Sequence, residues 1–228
     1  MHYLIITLLL LALIFGPQLW ARYTFRRYAK PLDHIPGTGG ELARHLLDRF
    51  EMSHVKVEKA GEEGDHYDPQ SQTVRLQPDN FEQRSLTAIA VAAHEVGHAI
   101  QHHRGETLLS TRTKLAHIAH VAQKVGIGII MVMPLVTLLT RVPTSGFLMV
   151  TIGLGSMALA TLVHLITLPV EIDASFGKAL PILKEGRYIT DKDEPAVRQI
   201  LRAAAFTYLA ASLASLLNLW RWLAILRR

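Results

Sequence analysis

Apolar and polar positions divide this chain into one uncharged run, a polar insert, and three further uncharged runs. Tyr3 to Trp20 carries no charge and is rich in Leu and Ile. Val125 to Thr140 is uncharged between Lys124 and Arg141, Val142 to Val170 is uncharged throughout, and Ala203 to Trp220 is the fourth run. A bilayer span needs about 20 apolar residues, so the pattern predicts four transmembrane helices. Thr144-Ser145-Gly146 reads as the turn of a helical hairpin, and small residues such as Gly153, Gly155 and Ala158 suit close packing of helices in lipid. No basic stretch precedes the first run, as a signal peptide would require. Arg22, Arg26, Arg27 and Lys30 follow it instead, which predicts an uncleaved anchor with the next loop in the cytoplasm.

The insert, residues 31–122, has the periodicities of a mixed domain. Leu42, Leu46, Leu47 and Phe50 recur at helical spacing and predict a helix over 39–50. Alternation over 54–58 and the stretch Thr73–Leu76 predict two strands, with a turn at Pro78-Asp79-Asn80. Ser85 opens a helix that runs to about His103. The expected fold class is therefore a mainly α integral membrane protein carrying an α+β domain. Its expected parts are an anchor (1–22), the domain (31–122), a membrane hairpin (125–170), a polar segment (171–202) and a last membrane helix (203–222).

Composition agrees with this division. Half of the 228 residues are hydrophobic, only 19% are charged, and mean hydropathy is +0.22. There is no cysteine, so disulfides and thiolate metal sites are excluded. The net charge of +5 lies mainly beside the apolar runs, and no basic stripe interleaved with aromatics points to nucleic acid.

The chemistry is concentrated in His94-Glu95-Val96-Gly97-His98. On a helix, positions i and i+4 share a face, so His94 and His98 present two imidazoles to one metal ion. Glu95, beside the first ligand, is placed to act as general base on a water. Two histidines capped by neighbours in an ordinary buried helix is the alternative. Uncharged, mostly small residues around the motif, and a carboxylate that is costly in such a helix without a cation nearby, favour the metal.

With thiolates absent, a third zinc ligand must be His, Asp or Glu. Glu171 follows the third apolar run, two expected crossings after His94, and so on the same side of the membrane. Pro169 suits the first turn of a new helix there. Ser175, at i+4 from Glu171, and Asp173 are candidate outer partners of the ligands. Glu171 and Asp173 as mere helix N-terminal acids is the plainer alternative. Thr73, Val74, Arg75 and Leu76 are candidates to bind substrate by strand addition, or else form a structural hairpin. His102, His103, His117 and His120 are expected at surfaces or interfaces. His164 is expected to bond a helix neighbour, with oxyanion stabilisation as the alternative.

His66-Tyr67-Asp68-Pro69, Val74-Arg75-Leu76, the run from Ser85 through Gln101, and Leu168-Pro169-Val170-Glu171 with Asp173-Ala174-Ser175 together resemble the YugP-type neutral zinc metallopeptidases of bacterial membranes. The resemblance covers the chain from about residue 37 to the last apolar run. It implies that the α+β domain is zincin-like and that the protein is a membrane zinc endopeptidase related in plan to the gluzincins, with two His and one Glu as ligands. More distantly the chain is similar to the HtpX and CAAX-processing proteases, which carry Asp where this sequence has Ser175.

The expected function is peptide-bond hydrolysis at the plasma membrane, with one Zn2+, the active site on the cytoplasmic face, and a protein or peptide substrate close to the bilayer. An intramembrane site-2-type protease is the runner-up, opposed by the charges that flank the metal helix. A non-catalytic metal-binding scaffold has no use for Glu95.

Overall fold

The computed structural model describes residues 2–140, 151, 152, 155, 159, 163 and 166–205, some helical positions by backbone alone. The chain runs as α1 (His2–Arg27), α2 (Gly39–Arg49), β1 (Lys56–Lys59), β2 (His66–Asp68), β3 (Thr73–Leu76), α3 (Pro78–Glu82), α4 (Leu86–His103) and α5 (Thr107–Thr140). Helix α6 covers 166–172 and passes without a break into a π-helical stretch, Asp173–Ala179, followed by α7 (Leu180–Glu185). The described part of α8 is 194–205.

Helix α4 is the axis of the core, and every residue from Leu86 to Gln101 is buried. Ser85 starts it by accepting the Ala88 N–H on its side-chain oxygen, which satisfies one of the donors a helix start leaves open. Helix α2 lies along one flank and buries Leu42, Ala43, Leu46 and Leu47. Its start is fixed by a capping box: Thr38 Oγ accepts the Glu41 N–H, and Glu41 accepts the Thr38 N–H. The opposite flank is covered by the π stretch and α7, which add Ala179, Leu180 and Leu183 to the same core.

The π stretch comes so close to α4 that no side chain fits between them. A Cβ on Gly97 would stand 2.8 Å from the Ala174 carbonyl oxygen. Gly97→Ala should gain about 1 kcal/mol of helix propensity but incur about 1–3 kcal/mol of overpacking against rigid backbone. We expect a net loss of stability of up to about 2 kcal/mol in urea unfolding.

The three-stranded sheet packs its buried Val74 and Leu76 towards α2 and α4. Its order is β1-β3-β2, with β1 parallel and β2 antiparallel to β3. This corrects the expectation that Thr73–Leu76 takes substrate by strand addition. β3 is the central strand, so β1 and β2 already occupy both of its edges.

Among the described residues no helix is long and apolar enough to cross a membrane. The expectation of a four-span membrane protein is therefore corrected. Tyr3–Trp20 is only part of α1, is interrupted by Pro17 and Gln18, and runs into Arg22. Val125–Thr140 is not a separate helix but the end of α5, which carries Arg112, Lys114 and Lys124 ahead of it. Most of the runs 142–170 and 203–220 lies outside the described residues. The crossing count that placed Glu171 beside His94, and the cytoplasmic face inferred with it, lose their support.

Two smaller expectations also change. Pro78-Asp79-Asn80 begins a short helix rather than a turn, with Pro78 in the first turn, where no N–H is needed. Pro169 does not open a new helix, because α6 runs through it from residue 166.

Candidate metal centre

Helix geometry brings His94 and His98 together from one element. Their rings meet edge to face, with centroids 4.7 Å apart. Glu171 reaches them from α6 and is fully buried. Its Oε2 lies 3.2 Å from His94 Nε2 and 3.2 Å from His98 Nε2. One atom from each of these three residues lies within 4.8 Å of the other two, and all three residues are buried.

Hydrogen bonding behind the rings decides what these atoms are. Gln101 Nε2 donates to the Val170 carbonyl at 3.0 Å and to Asp173 Oδ2 at 2.8 Å. Both partners accept, so the orientation of the amide is fixed and Gln101 Oε1 faces His98 Nδ1 at 2.9 Å. His98 Nδ1 must therefore carry the hydrogen, and Nε2 of the neutral ring is a bare lone pair. It points at a carboxylate oxygen, which is also an acceptor. Two acceptors held face to face in a buried site repel unless a proton or a cation lies between them. On the other ring, the Ser175 hydroxyl lies 3.0 Å from His94 Nδ1 and can accept its hydrogen.

This donor set fits zinc. Bonds of about 2.0–2.1 Å to a tetrahedral ion place neighbouring ligand atoms about 3.3 Å apart, close to the two Nε2–Oε2 separations. Two imidazoles and one carboxylate leave a fourth position for water or substrate.

Glu95 is next to His94 and almost fully buried. Burial pushes its carboxyl up to about 7, aided by Glu171 and Asp65 and opposed by His94 and a hydrogen bond from the Tyr67 N–H. A small hollow of about 170 Å³ opens beside the motif, lined by His94, Glu95, Asp65, Phe25, Val91, Ile200, Leu201 and Ala204. A larger one of about 410 Å³, between α2 and Tyr188, includes none of the three metal-facing residues.

His94, His98 and Glu171 converge, with Glu95 and Ser175 beside them. Asp173 was expected on an imidazole but stands one step back: it accepts from Gln101 and pairs with Lys178, which also pairs with Glu106 at 2.9 Å. Thr73–Leu76 forms the central strand of the sheet. His102 accepts or donates at Nδ1 to the Tyr67 hydroxyl at 2.8 Å, and His103 faces His54. His117 and His120 lie on α5, their side chains outside the described residues, as is His164.

Sequence reasoning missed Gln101, although its i+3 spacing from His98 on a common helix face was legible. It also missed Arg112, whose Nη2 lies 3.5 Å from Glu171 Oε1, and no sequence spacing announces that contact.

Known proteins agree with the chemistry of the site. No solved structure gives a significant match. The chain is 36% identical over 226 residues to the "Putative membrane protease YugP" of Bacillus subtilis (strain 168), covering 99% of this chain and 96% of that protein. Residues 3–227 match the family described as "Putative neutral zinc metallopeptidase". With that match running over nearly its whole length, the chain belongs to this zinc metallopeptidase family.

Proposed function

We propose that the chain is a zinc metalloendopeptidase in which His94, His98 and Glu171 hold the metal and Glu95 is the general base. The observation that carries this reading is the pair of facing lone pairs at His98 Nε2 and Glu171 Oε2, fixed by the Gln101 amide. When bound, zinc supplies a Lewis acid that polarises a peptide carbonyl and acidifies a water.

The protein's own groups do the rest. Gln101 and Ser175 fix the two imidazoles so that each Nε2 faces the ion. The Glu95 carboxylate takes a proton from the attacking water and returns it to the leaving amine nitrogen. Its elevated range suits a base working near neutrality. The hollow walled by Phe25, Val91, Ile200 and Leu201 offers an apolar surface to a substrate side chain next to Glu95.

The substrate strand belongs on β2 rather than β3. β2 is an edge strand, and no strand among the described residues pairs with its outer side. The Tyr67 N–H, which bonds to Glu95, faces away from β3. A membrane setting is carried over from the name of the Bacillus relative, and protein or peptide substrates from the activity of the family.

Metal removal tests the reading directly. The purified chain should contain about one zinc per molecule and cleave an unfolded protein. Dialysis against a chelator should abolish cleavage, and zinc should restore it. Full cleavage by the metal-free protein would sink the proposal.

A further inference from the structure

Glu171 uses only one of its oxygens towards the imidazoles. Oε2 faces both Nε2 atoms, while Oε1 is fully buried and has no hydrogen-bond partner among the described residues. A buried carboxylate oxygen left alone is costly. The cation nearest to it is Arg112, with Nη2 at 3.5 Å. Arg112 comes from the start of α5, three residues after the buried Leu109 and thus on the same inward face of that helix. About a third of its side chain is exposed, and Glu171 is its one acidic partner among the described residues.

We infer that Arg112 is a positioning residue: it holds Glu171 Oε1 away from the metal and so makes Glu171 a one-oxygen ligand. The inference rests on the metal-site reading above. Without this restraint a carboxylate beside a divalent ion can turn and offer both oxygens. The second oxygen would then occupy the position that water or substrate needs. The guanidinium also draws negative charge away from Oε2, which leaves the ion a stronger Lewis acid. Arg suits the task because it stays charged and presents several donors from a rigid plane.

Binding and spectroscopy test this without relying on turnover. Zinc affinity is measured by competition with a chelator for the wild type, Arg112→Gln and Arg112→Lys. Lys114→Gln, an exposed change on the same helix, serves as the control. The cobalt-loaded forms are compared by visible absorption, which weakens when a four-coordinate ion gains a fifth ligand. Arg112→Gln should change zinc affinity by about 10-fold, the scale of losing a residue that supports a ligand. It should also weaken the cobalt bands. Arg112→Lys should restore part of both effects, and Lys114→Gln should match the wild type.

A contact that merely joins α5 to α6 would lower the unfolding temperature but leave the cobalt spectrum alone. Unchanged affinity and spectrum in Arg112→Gln overturn the inference while leaving the metal site intact. A wild type that binds neither metal overturns the inference together with the site reading.

Discussion

Replacing Glu95 with Gln is expected to leave zinc content unchanged and to slow cleavage of an unfolded protein by about 100- to 10,000-fold, the usual contribution of a general base. The two effects separate because Glu95 is not among the atoms that converge on the metal position. His94, His98 and Glu171 do that, and their partners Ser175, Gln101 and Arg112 are untouched by the change. Gln is close to Glu in size, so the packing of this buried position survives. The Tyr67 N–H keeps an acceptor in the amide oxygen. What disappears is a group able to take a proton from water. Zinc content by metal analysis and initial rates on the same preparation check both halves. Unchanged cleavage would end the role given to Glu95.

Glu171→Ala is expected to act on the other half, lowering zinc affinity by about 100-fold or more, beyond the range seen for losing a supporting residue. The change removes the sole anionic ligand and leaves Arg112 facing the two imidazoles with no carboxylate between them. A neutral cavity beside a cation is a poor place for a divalent ion. Chelator competition measures the loss, and cleavage should fall with occupancy at limiting zinc. Circular dichroism separates this from unfolding, because α4 keeps its own cap and core contacts. Wild-type affinity in this variant would remove Glu171 from the ligand set.

The sequence and the structure part company in instructive places. Helix α4, helix α2 and strand β3 were legible because each has a local signature: a cap, an apolar face, or alternation. The pairing of His94 with His98 was legible because one helix fixes both. Glu171 was reached by an argument whose premise the structure does not support, since no described helix meets the requirement for a span. Its convergence with α4 rests instead on the packing of the π stretch against Gly97. Strand order was not legible, because β3 becomes central only through a parallel partner 17 residues upstream in register, Lys56 against Thr73. Local periodicity carries no information about such pairing. Arg112 was hidden for the same reason: its significance lies wholly in a contact between helices distant in sequence.

The π-helical stretch makes the winding of the backbone itself a determinant here. A π turn holds one residue more than an α turn. Glu171 and Ser175 before and within it, and Leu180 and Leu183 after it, all face α4 together only while that extra residue is wound into the π turn. Relaxation of Asp173–Ala179 to an α-helix at unchanged length turns everything downstream by about 100°. Leu180 and Leu183 then rotate out of the core that holds α4. Substitutions that keep the π turn alter one contact at a time, whereas loss of the π turn puts the ligand and the hydrophobic core out of phase with each other.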